Sequence, residues 1–149
     1  CNSSGVNGLI VVDLPWPENK DFAKKCKKKS IYFIQLLSPT TTTKRLKKII
    51  KDSHPMNYFI SMLNTTGGKL KVSPKDILKN YTKIKKIDPK KEIVIGFGIT
   101  EKTIGKLKSA DGLVVGSAIC KEISKSLKHR QNPVTNVSKL VKKLKSKIL

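Results

Sequence analysis

The sequence predicts an α/β architecture, a parallel sheet covered by helices, on three observations. Five short apolar runs alternate strictly with lysine-rich amphipathic stretches, the pattern of consecutive βα units. The runs are almost continuously apolar, as in strands buried on both faces. Glycines follow the third, fourth and fifth runs, at Gly67, Gly98 and Gly116. In a parallel sheet these strand ends share one face, where ligands bind.

Residues 8–14 (GLIVVDL) form the first strand, broken by Pro15 and Pro17. A helix over residues 18–29 follows, with Phe22, Ala23 and Cys26 spaced for one face. Residues 31–37 (IYFIQLL) are the second strand. The loop SPTTTT, residues 38–43, enters a helix that runs through Ser53, with Leu46, Ile49 and Ile50 as its inner stripe. Residues 57–61 (NYFIS) are the third strand, and the loop 62–72 carries Gly67 and Gly68. Ser73-Pro74-Lys75-Asp76 is a helix start, with Ser as N-cap, Pro at the first helical position and Asp at the third. Ile77, Tyr81 and Ile84 line one face of that helix. Residues 92–95 (EIVI) are the fourth strand, turned by Gly96-Phe97-Gly98-Ile99 into a helix capped by Thr100. Residues 111–115 (DGLVV) are the fifth strand. Gly116-Ser117-Ala118 opens a helix with Ile119, Ile123 and Leu127 on one face. Asn132-Pro133 starts a last helix with Val137, Leu140, Val141, Leu144 and Ile148 inward. No linker divides the 149 residues, so they read as one domain.

The net charge of +22 raises the question of a nucleic-acid or anionic-membrane partner. Composition argues against both. All but Arg45 and Arg130 of the 32 basic residues are lysine, spread along every predicted helix. Readout of bases and phosphates favours arginine, so the lysines are read as solvated helix faces. No apolar run approaches the length of a membrane span, and no signal peptide opens the chain. Cys1, Cys26 and Cys120 are far apart, with no CxxC or Cys/His cluster, so neither zinc nor a disulfide framework is expected. Cys26 and Cys120 read as buried small hydrophobes on helices, in a reducing cytoplasm. His54 and His129 read as exposed surface residues. The chain begins with Cys1 rather than Met, and is read as part of a longer polypeptide.

The glycines carry the chemistry. Without a Cβ, the backbone N–H groups of Gly67, Gly98 and Gly116 can approach an anion closely. Gly116-Ser117 also begins a helix, whose unpaired N–H groups and positive dipole end favour a phosphate dianion. Ser117 can add a hydroxyl donor. In (β/α)8 TIM barrels phosphate sits at the loops after the last two strands, and GFGIT and VVGSA occupy those places.

Five blocks in order, GVNGLIVVDLP (5–15), SPTTTTKR (38–45), YFIS with TTGG (58–61, 65–68), IGFGIT (95–100) and DGLVVGSAICKEI (111–123), resemble the tryptophan synthase alpha subunit family. The resemblance covers nearly the whole chain. It implies a partial TIM barrel, strands four to eight with their helices, from a lyase that cleaves indole-3-glycerol phosphate to indole and glyceraldehyde 3-phosphate. It assigns phosphate to Gly67, Gly98, Gly116 and Ser117, and the indole pocket to Ile10, Val12, Tyr58, Phe97 and Val114. Thr66 matches the loop threonine that supports a catalytic aspartate on loop closure, and residues 12–17 resemble the surface that meets a beta subunit in an α2β2 tetramer. No cofactor is implied for this chain, since pyridoxal phosphate belongs to the beta subunit. The loop departs from the family's usual GVTGA: Asn64 replaces a glycine, and Met62 stands where arginine is common.

The family's two proton-transferring carboxylates, a strand-borne Glu and a following Asp, match nothing in these residues. Asp13 reads as structural or interfacial. Without those two carboxylates this chain alone is expected to be inactive, and five strands leave two open edges and an exposed inner face, so it is also expected to be incomplete or aggregation-prone. The alternatives weighed are another phosphate-sugar barrel enzyme, and a non-catalytic lysine-rich half-barrel that binds nucleic acid or another anion. The DLP block and the TTG loop discriminate against the former.

Overall fold

The chain was analysed as a computed structural model, in which residues 1–61, 73–96 and 98–149 are described. After a 3₁₀ turn at Asn2–Ser4 the order is β1 (Gly8–Leu9), α1 (Lys20–Lys28), β2 (Tyr32–Phe33), β3 (Gln35–Leu37), α2 (Thr43–Asp52) and β4 (Met56–Ile60). Then come α3 (Pro74–Lys85), β5 (Glu92–Gly96), a 3₁₀ turn at Ile104–Leu107, β6 (Gly112–Leu113), α4 (Ser117–Lys128) and α5 (Pro133–Lys145).

Every strand pairing among the described residues is parallel and joins neighbours in the chain. β1 pairs with β2, and β3 through β6 form a four-stranded sheet in chain order. β2 and β3 are halves of the predicted second strand, separated only by Ile34. The first half bonds β1, with Tyr32 N–H donating to the Asn7 carbonyl and Ile34 N–H to the Leu9 carbonyl, both at 2.9 Å. The second half bonds β4 from Gln35↔Asn57 to Leu37↔Phe59.

Alternation along the strands sends every second side chain into the helix layer. Leu37, Phe59, Ile93 and Ile95 point that way and pack with Leu46, Ile49 and Ile50 of α2, Ile77, Tyr81 and Ile84 of α3, and Leu144 of α5. A smaller cluster joins Cys26 and Ala23 of α1 to Ile31, Phe33, Leu9 and Val11. At its edge the exposed Phe22 meets Phe33 edge to face at 5.9 Å. A buried hydrogen bond, Asn19 Nδ2 to Gln35 Oε1 at 2.7 Å, ties the start of α1 to β3. The inner stripes expected for α2 and α3 are as the periodicity gives them, and both caps form. Thr42 accepts from Arg45 N–H, and Ser73 accepts from Asp76 N–H behind Pro74.

Several expectations are corrected. The sheet carries its core on one side only; Ile10, Val12 and Val114 on the other side are 48%, 71% and 40% exposed. Continuous apolarity therefore reflects a second face that no described element covers, not two helix layers. β1 ends at Leu9, short of the expected Leu14. The helix expected from Thr100 is only the 3₁₀ turn Ile104–Leu107. Gly105 and the β-branched Thr103 and Ile104 are poor helix formers, and the Thr103 hydroxyl bonds locally to the Thr100 carbonyl instead. On α4, Ile123 and Leu127 are exposed, as is Cys120, because α4 packs on α5 through another face, where Ser126 is fully buried and takes a hydrogen bond from Asn136 Nδ2 at 3.0 Å. Val141 of α5 is exposed too. His54 is half-buried rather than exposed, with its ring 4.1 Å from that of Tyr32.

Candidate functional site

Gly98 and Gly116 meet at one rim of the sheet. β5 and β6 are in register at Ile95↔Leu113, and each glycine lies three residues beyond that pair, at the C-terminal end of its strand. Adjacent parallel strands run about 5 Å apart, so the two turns are neighbours. Gly98 has φ of 66°, in the left-handed region that glycine enters without strain. Gly116 is the N-cap of α4, and no side chain caps that helix end. A Cβ built on Gly116 would meet nothing within 4 Å. Among the described residues, space therefore stands open in front of a twelve-residue helix and no side chain caps its first N–H groups, with Ser117 exposed at its first position. Such an end receives a small anion well.

Interactions that sequence reasoning missed hold this rim. Ser61, fully buried at the end of β4, donates its hydroxyl to the Gly96 carbonyl at 2.7 Å, and its N–H reaches the same oxygen at 3.1 Å. Thr103 Oγ1 accepts from Thr100 N–H at 2.9 Å and lies 3.3 Å from the Gly98 carbonyl. Glu101 in the same turn is gripped by α5 and the residues after it: Lys143 Nζ and Lys147 Nζ reach Glu101 Oε1 at 2.9 and 3.1 Å. Hydrogen bonds from Lys143, then Lys147, hold the Glu101 carboxyl below its usual value. The serine and threonine signals were visible as strand-end and turn residues, but the pairing with α5 crosses more than forty residues and leaves no local pattern.

The concave face supplies an apolar floor. Tyr58 pairs in register with Leu36 on one side and Val94 on the other. Val114 follows Leu113 of β6, and Ile10 and Val12 alternate with the core-facing Leu9 and Val11. Ile10, Val12, Tyr58 and Val114 thus share the face not covered by helices. Leu36, Ile60 and Val94 join them, residues that the sequence reading left out. The Tyr58 ring crosses Gly96: a Cβ at Gly96 would overlap the Tyr58 hydroxyl and ring. Burial pushes the Tyr58 hydroxyl above its usual pKa. Gly67, Thr66 and Phe97 lie outside the described residues.

The opposite rim is built for stability. Asp111, just before β6, accepts from Ile93 N–H at 2.8 Å and from Lys85 Nζ at 3.0 Å. Burial raises its pKa, but the Ile93 N–H, Lys85 and the Tyr81 hydroxyl together hold the carboxyl below its ordinary value. Near α2, Trp16 Nε1 donates to Asp52 Oδ2 at 3.0 Å and Lys20 reaches the same oxygen at 3.1 Å. Arg45 lies over the Trp16 ring and donates to the Trp16 carbonyl. These contacts fasten the segment after β1 to the helix layer. Asp13 is exposed. Among the described residues there is no group of three or more metal-ligating side chains, and no helix is long and apolar enough to cross a membrane.

A family model described as tryptophan synthase alpha chain matches residues 1–149. The chain is 72% identical over 148 residues to the tryptophan synthase alpha chain of Pelagibacter ubique, covering 99% of this chain and 56% of the relative. It is 37% identical over 131 residues to that of Methanocaldococcus jannaschii, covering 85% of this chain and 45% of the relative. The crystal structure of the alpha chain from Legionella pneumophila superposes with a TM-score of 0.81 at 27% identity, over 98% of this chain and 53% of that one. The chain spans about half the length of the curated relatives it matches.

Proposed function

Since the chain belongs to the tryptophan synthase alpha chain family and its fold is part of that family's TIM barrel, we propose that residues 1–149 are the C-terminal portion of a single phosphate-binding barrel domain. The barrel is a lyase that cleaves indole-3-glycerol phosphate to indole and glyceraldehyde 3-phosphate by a retro-aldol step. The observation that carries the reading is the Ile95↔Leu113 register, which brings the turns of Gly98 and Gly116 to one rim, in front of the uncapped end of α4.

The substrate phosphate is held by the N–H groups of Gly98, Gly116 and Gly67 and by Ser117. Preorganised N–H donors at a helix end bind a dianion without reorganising when it arrives. The indole ring rests on the concave floor of Ile10, Val12, Tyr58 and Val114, with Phe97. Thr66 supports the catalytic aspartate. The two proton-transferring carboxylates match no residue of this segment, so these residues bind and orient substrate and do not by themselves turn it over. The chain works without a cofactor of its own, in the cytoplasm, and residues 12–17, fastened through Trp16, face a pyridoxal-phosphate-bearing beta subunit in an α2β2 tetramer.

The test is a ³¹P NMR titration with glycerol 3-phosphate. The native sequence shows saturable binding, and Gly116→Asp abolishes it through like-charge repulsion at the helix end. Unchanged affinity in a folded Gly116→Asp variant rejects the phosphate assignment.

A further inference from the structure

The turn 98–103 is short, exposes Gly98, Thr100 and Lys102, and contains no α-helix. Left to itself, a turn of this kind samples several conformations, each aiming the Gly98 N–H differently. Its outer side is held from the far end of the chain. Lys147 makes two contacts there, Nζ to the Glu101 carbonyl at 3.1 Å and Nζ to Glu101 Oε1 at 3.1 Å. Lys143, one helical turn earlier, reaches the same carboxylate oxygen at 2.9 Å. Between them Leu144 is buried in the cluster that contains Ile99, Ile104 and Leu107. The backbone of Lys147 also passes close to Gly105, where an added Cβ would stand 3.4 Å from the Lys147 carbonyl. One face of the end of α5 therefore grips the turn by charge, by backbone hydrogen bond and by apolar packing at once. Most of the 32 basic residues have few acids to pair with, because the chain has only 10. Two lysines converge on one glutamate, and one of them also bonds its backbone carbonyl.

We propose that the end of α5 is a positioning element for the phosphate site: Lys143 and Lys147 hold Glu101, and through it the turn 98–103, in the conformation that presents the Gly98 N–H to the ligand. The two lysines are positioning residues and do not touch the ligand. They also neutralise a carboxylate three residues from Gly98, which would otherwise oppose a dianion. This inference rests on the phosphate reading above.

The experiment measures two quantities on the full-length polypeptide that carries these residues: affinity for glycerol 3-phosphate by ³¹P NMR, and amide hydrogen exchange at Thr100, Thr103 and Ile104, whose N–H groups bond within the turn. In the double variant Lys143→Met, Lys147→Met, exchange at these three amides rises at least about fivefold while the β4 and β5 amides keep their protection. Affinity falls about tenfold, the loss of roughly one well-placed hydrogen bond. Lys143→Arg with Lys147→Arg retains both properties. Unchanged exchange and affinity in the Met variant overturn the proposal, and so does a uniform rise in exchange across the sheet, which marks general destabilisation. Failure of the native protein to bind glycerol 3-phosphate instead defeats the phosphate reading, and the exchange at Thr100 then decides by itself whether α5 holds the turn.

Discussion

Three glycines do different physical work at one rim of the sheet. Gly116 has an ordinary backbone and open space at its Cβ position, so Gly116→Ala brings no clash and costs stability only about 1 kcal/mol or less through the weaker N-cap. Its added methyl stands in front of the helix end, so phosphate affinity falls by more than the cost of about 1 kcal/mol or less that alanine brings as a poorer N-cap, a split read by paired thermal melts and titrations. Gly98→Ala acts through the backbone, because φ of 66° costs an L-residue about 1–2 kcal/mol, and both stability and affinity fall. Gly96 serves neither role: it makes room for the Tyr58 ring. Gly96→Ala forces that ring out of its place on the concave face, at a cost of about 1–3 kcal/mol. A double-mutant cycle with Tyr58→Ala checks this: the cost of Gly96→Ala largely disappears in the Tyr58→Ala background, and strict additivity would refute the contact.

At the scale of elements, the two rims of the sheet have separate chemistries. The rim that carries Asp111 ties β5, β6 and α3 together through Ile93 N–H, Lys85 and Tyr81. Asp111→Asn keeps the shape but removes the charge, and destabilises the chain by about 2 kcal/mol in urea melts. The pH sign follows from the depressed carboxyl. Its contribution is complete above the ordinary aspartate value of about 3.9 and is lost as pH falls through the lower folded value. Tyr81 has the opposite sign: burial and Asp111 push it up to about 12, so its contribution is complete below about pH 10 and is lost as pH rises through the folded value. Asp111→Asn flattens the acid limb of the stability profile, and an unchanged limb would show that other carboxylates dominate it. α2, α3 and their caps were legible in the sequence because their apolar stripes and Ser or Thr starts are local signals. So was the place of Gly98 and Gly116 at strand ends, because strand ends are marked by a change of composition. The floor residues Leu36, Ile60 and Val94 were hidden by strands apolar at nearly every position, where alternation carries no contrast. The exposure of Ile123 and Leu127 was hidden because a helix stripe shows that a face is apolar, not which neighbour covers it. The α5 clamp on Glu101 was illegible because it depends on chain crossing, not on spacing.

The whole molecule sets apolar surface against charge. The concave face and the outer side of α4 and α5 expose Ile10, Val12, Val114, Ile123, Leu127, Val134 and Val141, while the net charge is +22. Like-charge repulsion keeps copies apart at low ionic strength, and its range shrinks to about 8 Å at 0.15 M salt. The 149-residue chain alone therefore self-associates more strongly as salt rises, and binds a hydrophobic dye on the concave face. Sedimentation velocity between low and moderate salt reads this directly, and a charge-driven association would show the reverse trend. The chain order of the strands has another consequence, for synthesis. Every described pairing joins a strand to its predecessor, so no bond of the sheet waits for a distant residue to leave the ribosome. Each βα unit can dock on the last as it emerges, as in vectorial folding of low contact order. The two outermost strands, β1 and β6, remain as the seams where further growth of the sheet must join.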